Sequence, residues 1–137
     1  MPDPISTQPL PVPTNFSRPF WEAARRQKLI IQFCPNSGKY QHYPRPVSIY
    51  TGKRNIEWRE VAGKGFVYAL TTTRRGPPAF RGQEPYIVTT VELDERVRLL
   101  TQIINCDADK ARVGMRVRLR WRVLSDEFSF PVFEPDV

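Results

Sequence analysis

The residues best spaced for chemistry are Cys34 and Ser37, in the run CPNSG, and Ser48 and Thr51, in the run SIYTG. Each pair has two intervening residues and a following glycine. This is the spacing of paired knuckles that present four cysteines to a tetrahedral zinc ion, two from each turn, at about 2.3 Å. Three of the four positions hold hydroxyl groups. Neutral hydroxyls are poor zinc ligands, and one thiolate does not replace four. The stretch therefore reads as a ribbon whose former metal positions are Cys34, Ser37, Ser48 and Thr51, with the turns kept and the ion lost. A structural zinc supplies on the order of 10 kcal/mol of folding free energy, so other contacts must offset its loss. The local candidates are Phe33, Tyr40, Tyr43, Ile49 and Tyr50, packed around the old site.

Little else in the sequence suits catalysis. His42 is the single histidine, and its place between Gln41 and Tyr43 reads as a hairpin side chain. Cys34 and Cys106 lie far apart and fit free thiols in a reducing compartment, with Cys106 buried or near a strand end. No nucleophile and base fall into a recognisable pairing, so the chain is not expected to be an enzyme by itself.

Charge points instead to binding. A formal net charge of +7 and a pI near 9.8 favour anionic partners without choosing among nucleic acid, phosphorylated small molecules and an acidic protein face. Two clusters concentrate the charge. In MRVRLRWRVL, Met115, Val117, Leu119, Trp121 and Val123 share one strand face, while Arg116, Arg118, Arg120 and Arg122 share the other. That row is either a track for phosphates or the partner of Asp126, Glu127 or carboxylates on neighbouring strands. In the run TTTRRGPPAFRGQEPY, Arg74, Arg75 and Arg81 flank Phe80 in a loop longer than a turn needs. Guanidinium groups beside an aromatic suit a nucleotide, with phosphate on one and base on the other.

The elements that must position these groups follow from the pattern. Residues 1–16 read as an extended, proline-rich tail. Ser17 can cap a helix over Arg18 to Lys28, with Pro19 tolerated in its first turn. Phe20 and Trp21 are too large to stay wet on it and must dock on this chain or another. Leu29 to Phe33 forms the first strand of the ribbon, which with the helix occupies residues 17–56. From Ile56 to Arg75 the alternation suggests one long strand bent at Gly63 to Gly65. Pro85 to Asp94 and Val97 to Asn105 give a second and third strand; Asp107 to Gly114 gives a short helix, and two more strands follow. Three strands, a short helix and two strands are the order of the five-stranded OB barrel, placed at residues 57–135. No apolar run approaches a membrane span, and the first thirty residues lack the order of a secretory signal, so a cytoplasmic protein is expected.

Several motifs, in order, carry a resemblance: RPFWEAARRQKLIIQFC, GKYQHYPRP, VAGKGFVYALTTT, PYIVTTVELDE with RLLTQI, and VGMRV. Over about Arg18 to Pro135 the chain resembles the acyl-CoA-associated OB-fold proteins with an N-terminal rubredoxin-like zinc ribbon, long described as a domain of unknown function. In that family the four ribbon cysteines align with Cys34, Ser37, Ser48 and Thr51, where this chain departs, so zinc is not carried over. The resemblance implies a non-catalytic scaffold that docks on thiolase-like enzymes or hot-dog-fold enoyl-CoA hydratases in lipid or steroid-type metabolism. It implies no tightly bound cofactor, with acyl-CoA as a shared ligand. Candidates for its phosphates are Arg74, Arg75, Phe80, Arg81, Arg116 and Arg118; candidates for docking, on an enzyme or a second copy of this chain, are Phe20, Trp21, Tyr40, Tyr43 and Tyr50. The competing expectation is an OB module that binds single-stranded nucleic acid through arginines and stacked aromatics.

Overall fold

The computed structural model describes residues 9–137, and the part of the expected tail before Pro9 lies outside the described residues. From Pro9 to Pro13 the chain runs without regular structure. A turn then forms in which the Thr14 amide donates to Ser17 Oγ (2.8 Å). Ser17 thus stands at the helix N-cap while its hydroxyl faces back to Thr14 and caps no helical amide.

Helix α1 spans Arg18–Arg25 and stops short of Lys28. Gln27 takes a left-handed conformation (φ 60°), its amide donates to the Ala24 carbonyl (2.8 Å), and the Lys28 amide donates to the Ala23 carbonyl (2.9 Å). This paired closure ends helices at a position where glycine is usual, and a glutamine there hides the stop from sequence. The helix buries Phe20, Ala23 and Ala24 against the first and last strands of the chain.

The ribbon is a three-stranded antiparallel sheet of β1 (Ile30–Cys34), β2 (Lys39–Gln41) and β3 (Glu57–Glu60), in the order β2-β1-β3. Two turns of one design interrupt it: the Gly38 amide donates to the Cys34 carbonyl and the Gly52 amide to the Ser48 carbonyl, each at 2.8 Å. Gly38 and Gly52 both sit at φ 72°, a conformation that side chains resist, which is why a glycine follows each pair.

The expected long strand is therefore two strands. Glu57–Glu60 pairs with β1 in the ribbon, and after Val61 to Gly63 the chain enters the barrel as β4 (Lys64–Thr73). At the entry a side chain on Gly65 would collide with the Glu92 carbonyl, so β4 and its neighbour approach only because that residue is glycine. The barrel continues with β5 (Tyr86–Leu93), β6 (Arg98–Ile103), β7 (Arg116–Val123) and β8 (Ser129–Pro135), and closes in the order β4-β5-β6-β8-β7. This is the expected mainly β architecture with an N-terminal helix and a closed OB barrel. The short helix between β6 and β7 does not form. The Lys110 amide closes a turn on the Asp107 carbonyl (3.0 Å), and the Gly114 amide is taken by the Val67 carbonyl of β4 (2.8 Å).

One apolar cluster runs through both halves. Val67, Val91, Val117 and Phe133 fill the barrel, and Phe20, Leu29 and Ile31 extend the same core beneath the ribbon. On β7, Val117 is fully buried and Leu119 and Trp121 pack against the cluster, but Val123, expected inside, is 61% exposed where the strand leaves the barrel. Among the described residues no helix is long and apolar enough to cross a membrane.

The ribbon is pinned by two buried glutamines. Gln41 Nε2 donates to Gln32 Oε1 (2.8 Å) and to the Val47 carbonyl (3.1 Å), while Gln41 Oε1 accepts from the Ile49 amide (2.9 Å). Gln32 Nε2 donates to the Arg45 carbonyl and Gln32 Oε1 accepts from the Arg45 amide, both at 2.9 Å. The irregular segment from Pro44 to Ile49 thus hangs on two side chains from β1 and β2. The aromatic cluster expected in this role does not assemble around the old metal site. Tyr43, Ile49 and Tyr50 are exposed, and Phe33 pairs with Tyr40 (4.9 Å between rings) beneath the Arg59 guanidinium.

Two stability measurements follow. Gln41→Leu leaves a buried amide and carbonyls unpaired, so thermal unfolding should come about 10 °C lower, a loss of about 3 kcal/mol; a shift under about 2 °C would deny the glutamine pair its role. His42, enclosed beside Phe20 with no hydrogen-bond partner at Nδ1, has its pKa lowered to about 4 by burial. The unfolded chain takes up this proton near pH 6.5 and the folded chain only near pH 4, so stability falls with pH through that window. Urea unfolding from pH 7 to pH 4 should cost the native sequence about 3 kcal/mol more than His42→Leu; parallel losses in the two would refute the assignment.

Candidate functional site

The two knuckle turns bring Cys34, Ser37 and Ser48 together. Cys34 is fully buried, and the Ser37 and Ser48 hydroxyls lower its pKa to about 7 against the opposing effect of burial. Ser37 Oγ has no other hydrogen-bond partner. Ser48 Oγ accepts from the Tyr50 amide (3.1 Å) and the Thr51 amide (3.3 Å), which orders the second turn. The Thr51 hydroxyl is directed outward, to the Lys53 amide (3.2 Å). One thiol and three hydroxyls, two of them engaged with backbone amides, do not fit a zinc ion. Among the described residues no three of His, Cys, Asp and Glu gather closely enough to hold a metal.

The β7 arginines are tied down. Arg116 reaches Asp94 with two nitrogens (3.0 and 3.3 Å), which raises its pKa, and Arg118 Nε donates to Glu134 Oε2 (2.7 Å). Glu134, on β8, also accepts from Asn105 Nδ2 (2.8 Å) and lies near Arg120 (3.6 Å). The Asn105 amide first, and then Arg118, hold its carboxyl below the usual range. The partners of Arg116, Arg118 and Arg120 are thus Asp94, after β5, and Glu134, on the neighbouring strand β8, rather than Asp126 or Glu127. Trp121 faces inward, away from the arginines on its flanks, so β7 offers no alternation of stacking and phosphate contacts.

The β4–β5 loop leaves Arg74 and Arg75 without a carboxylate among the described residues, while Arg81 acts on Glu84 at longer range. Arg74, Arg75 and Arg81 are exposed, with no carboxylate in ion-pair range among the described residues. Glu84 gathers the loop, accepting from the Gly76 amide (2.8 Å) and the Gly82 amide (2.9 Å); these amides, Gly76 first, lower its pKa. Phe80 lies in a single 3₁₀ turn (Pro78–Phe80) and leans on Tyr86 (5.3 Å between rings). It is half-buried and not the free stacking platform expected.

Beside this loop the outer faces of β5 and β6 meet α1 and form a groove. A hollow of about 480 Å³ is lined by Trp21, Phe80, Leu100 and Phe130 and by Pro9, Leu10 and Pro11 of the N-terminal segment, with Thr101, Gln102 and Arg122 as its polar groups. A second hollow of about 280 Å³ shares Trp21, Leu100 and Phe130 and runs on to His42 and Tyr43. Trp21 stands between them, packed against Phe128 and Phe130 (6.0 and 6.3 Å). Of the docking candidates, Phe20 is 5% exposed and enclosed by its own chain, Tyr40 is half-buried, and Tyr43 and Tyr50 face out. Tyr43 is also tied to the barrel, its hydroxyl accepting from the Leu100 amide (3.3 Å). Sequence reading missed the groove, although Leu100, an apolar residue at an outward position between Leu99 and Thr101, was a signal for it.

The comparisons agree with this architecture. The family description "ChsH2, C-terminal OB-fold domain" matches residues 58–122. A probable enoyl-CoA hydratase alpha subunit from Thermomonospora curvata is 37% identical over 98% of this chain, which spans only 42% of that relative. A DUF35 domain-containing scaffold protein from Pyrococcus furiosus is 30% identical over 83% of each chain. A solved chain from the "Ltp2-ChsH2(DUF35) aldolase" superposes with a TM-score of 0.85 at 35% identity, over 93% of this chain and all of that one. That superposition spans ribbon and barrel, and the chain belongs to the DUF35 family.

Proposed function

We propose that this chain is a non-catalytic accessory subunit that docks on an acyl-CoA enzyme, either thiolase-like or an enoyl-CoA hydratase, and helps bind or channel its acyl-CoA. The carrying observation is the match to the whole of a solved chain of the Ltp2-ChsH2(DUF35) aldolase, a name that joins two components. Relatives named as hydratase alpha subunits and as scaffold proteins support the same class of role. The site chemistry fits. Burial pushes the Cys106 thiol up, Cys34 is sealed, and His42 Nδ1 has no partner, so no acyl-transfer pair stands ready.

Within this reading the work is divided between two surfaces. Tyr43, Ile49 and Tyr50 expose apolar area on the ribbon for a protein partner, and Arg74, Arg75 and Arg81 meet the phosphates of coenzyme A. Trp21 contributes chiefly to its own chain. The ribbon works without zinc, its hydroxyl knuckles held by the glutamine pair.

Capture of the tagged chain from its native lysate should recover a thiolase-like or hydratase enzyme. Ile49→Asp should abolish that assembly while moving thermal unfolding by less than about 0.5 kcal/mol; undiminished assembly would remove the ribbon from the interface, and recovery of nucleic acid alone would overturn the reading. Elemental analysis of the purified chain should find well under one zinc per chain, and chelation should leave its unfolding temperature unchanged. One full equivalent of zinc, with a chelator-sensitive melt, would refute the metal-free ribbon.

A further inference from the structure

The groove on β5 and β6 carries one charge that the fold leaves unanswered. Three of the four β7 arginines have a carboxylate partner, but Arg122 has none among the described residues. Its guanidinium reaches across the start of β8 and donates from one Nη to the neutral Gln102 Oε1 (2.6 Å). A guanidinium offers five donors in a planar fork, and most of this fork remains available at the wall of an apolar hollow. Burial lowers the Arg122 pKa, the sign of a cation held out of water without compensation. A half-buried cation of this kind loses hydration that an anion with matching geometry would restore.

The rest of the groove specifies the body attached to that anion. Leu100 is 57% exposed on a strand face where water-facing residues are usually polar, and Trp21, Phe80 and Phe130, with Pro9, Leu10 and Pro11 of the N-terminal segment, form further apolar walls. A volume of about 480 Å³ falls in the range of small-molecule sites, roughly 300 to 1,000 Å³. The adjoining hollow extends the track past Leu100 toward Tyr43.

We propose that the outer face of β5 and β6 binds an anionic amphiphile, a free carboxylate on an unbranched or compact apolar body, with the carboxylate on the Arg122 fork beside Gln102 and the body along Leu100, Trp21 and Phe130. A planar carboxylate takes two parallel bonds from guanidinium. An alcohol or an ammonium of the same chain length leaves the cation unpaired or repels it. A thioester, neutral at its carbonyl, is disfavoured for the same reason, so this site is separate from the contacts to coenzyme A phosphates at Arg74, Arg75 and Arg81 and does not depend on a partner enzyme.

Isothermal titration of the full chain with decanoate, decanol and decyltrimethylammonium, each below its micelle concentration, tests the assignment. Decanoate should bind at least about tenfold tighter than the other two. Arg122→Gln should bring decanoate to the level of decanol and leave decanol unchanged, while Leu100→Ser should weaken both together. Equal affinity for the three compounds, absence of decanoate binding, or a preference for decanoate that survives Arg122→Gln would each overturn the proposal. The comparison among ligands on the unaltered chain decides the matter even if a variant fails to fold.

Discussion

The ribbon depends on the hydrogen bond between Gln41 Nε2 and Gln32 Oε1. Those two side chains, buried between β1 and β2, take up backbone donors and acceptors of a segment with no strand to pair with. An unpaired buried amide or carbonyl costs about 1–3 kcal/mol. With the pair in place, Ser48 stands opposite Cys34, the second knuckle turn closes, and β3 can return along β1. A metal ion gathers four ligands from two turns; here two amides bind the backbone of one segment directly. The same geometry sets the path into the barrel, because β3 and β4 are separated only by the short link from Val61 to Gly63.

The barrel handles its charge with comparable economy. Asp94 and Glu134 lie within ion-pair range of three of the four β7 arginines. Among the described residues Arg122 has no carboxylate in that range, and Arg74, Arg75 and Arg81 are exposed on the β4–β5 loop. Exposed surface pairs contribute little to stability on their own. Their effect here is to hold the Arg116 and Arg118 side chains against the barrel.

Much of this was readable in the sequence where a residue type and its period agreed. The alternation of β5 and β7, the glycines after each knuckle and the strand order gave the barrel and the ribbon turns. Errors arose where one residue took another's usual role. Gln27 occupies a left-handed position that usually marks itself with glycine, so the helix was read too long. Glu57 to Glu60 continues the alternation of β4, so two strands in two sheets looked like one. Asp107 to Gly114 has helix signals at both ends but gives an amide to β4. The glutamine pair was invisible, since a glutamine in a short strand reads as solvent-facing until its partner is known. The groove was equally hidden, because Arg122 looked like the last member of a regular row.

A four-thiol ribbon is only as durable as the supply of its ion and the reduction state of its sulfurs. In this chain the knuckles contain a single sulfur, Cys34, sealed from solvent, and the other cysteine lies outside the ribbon after β6. Peroxide or hypochlorous acid, which eject metal by joining neighbouring thiolates, would find no second sulfur here to join. Amide groups neither oxidise under these conditions nor compete with metal-sequestering proteins. The glutamine pair that orders this ribbon is itself indifferent to metal supply and to thiol oxidation.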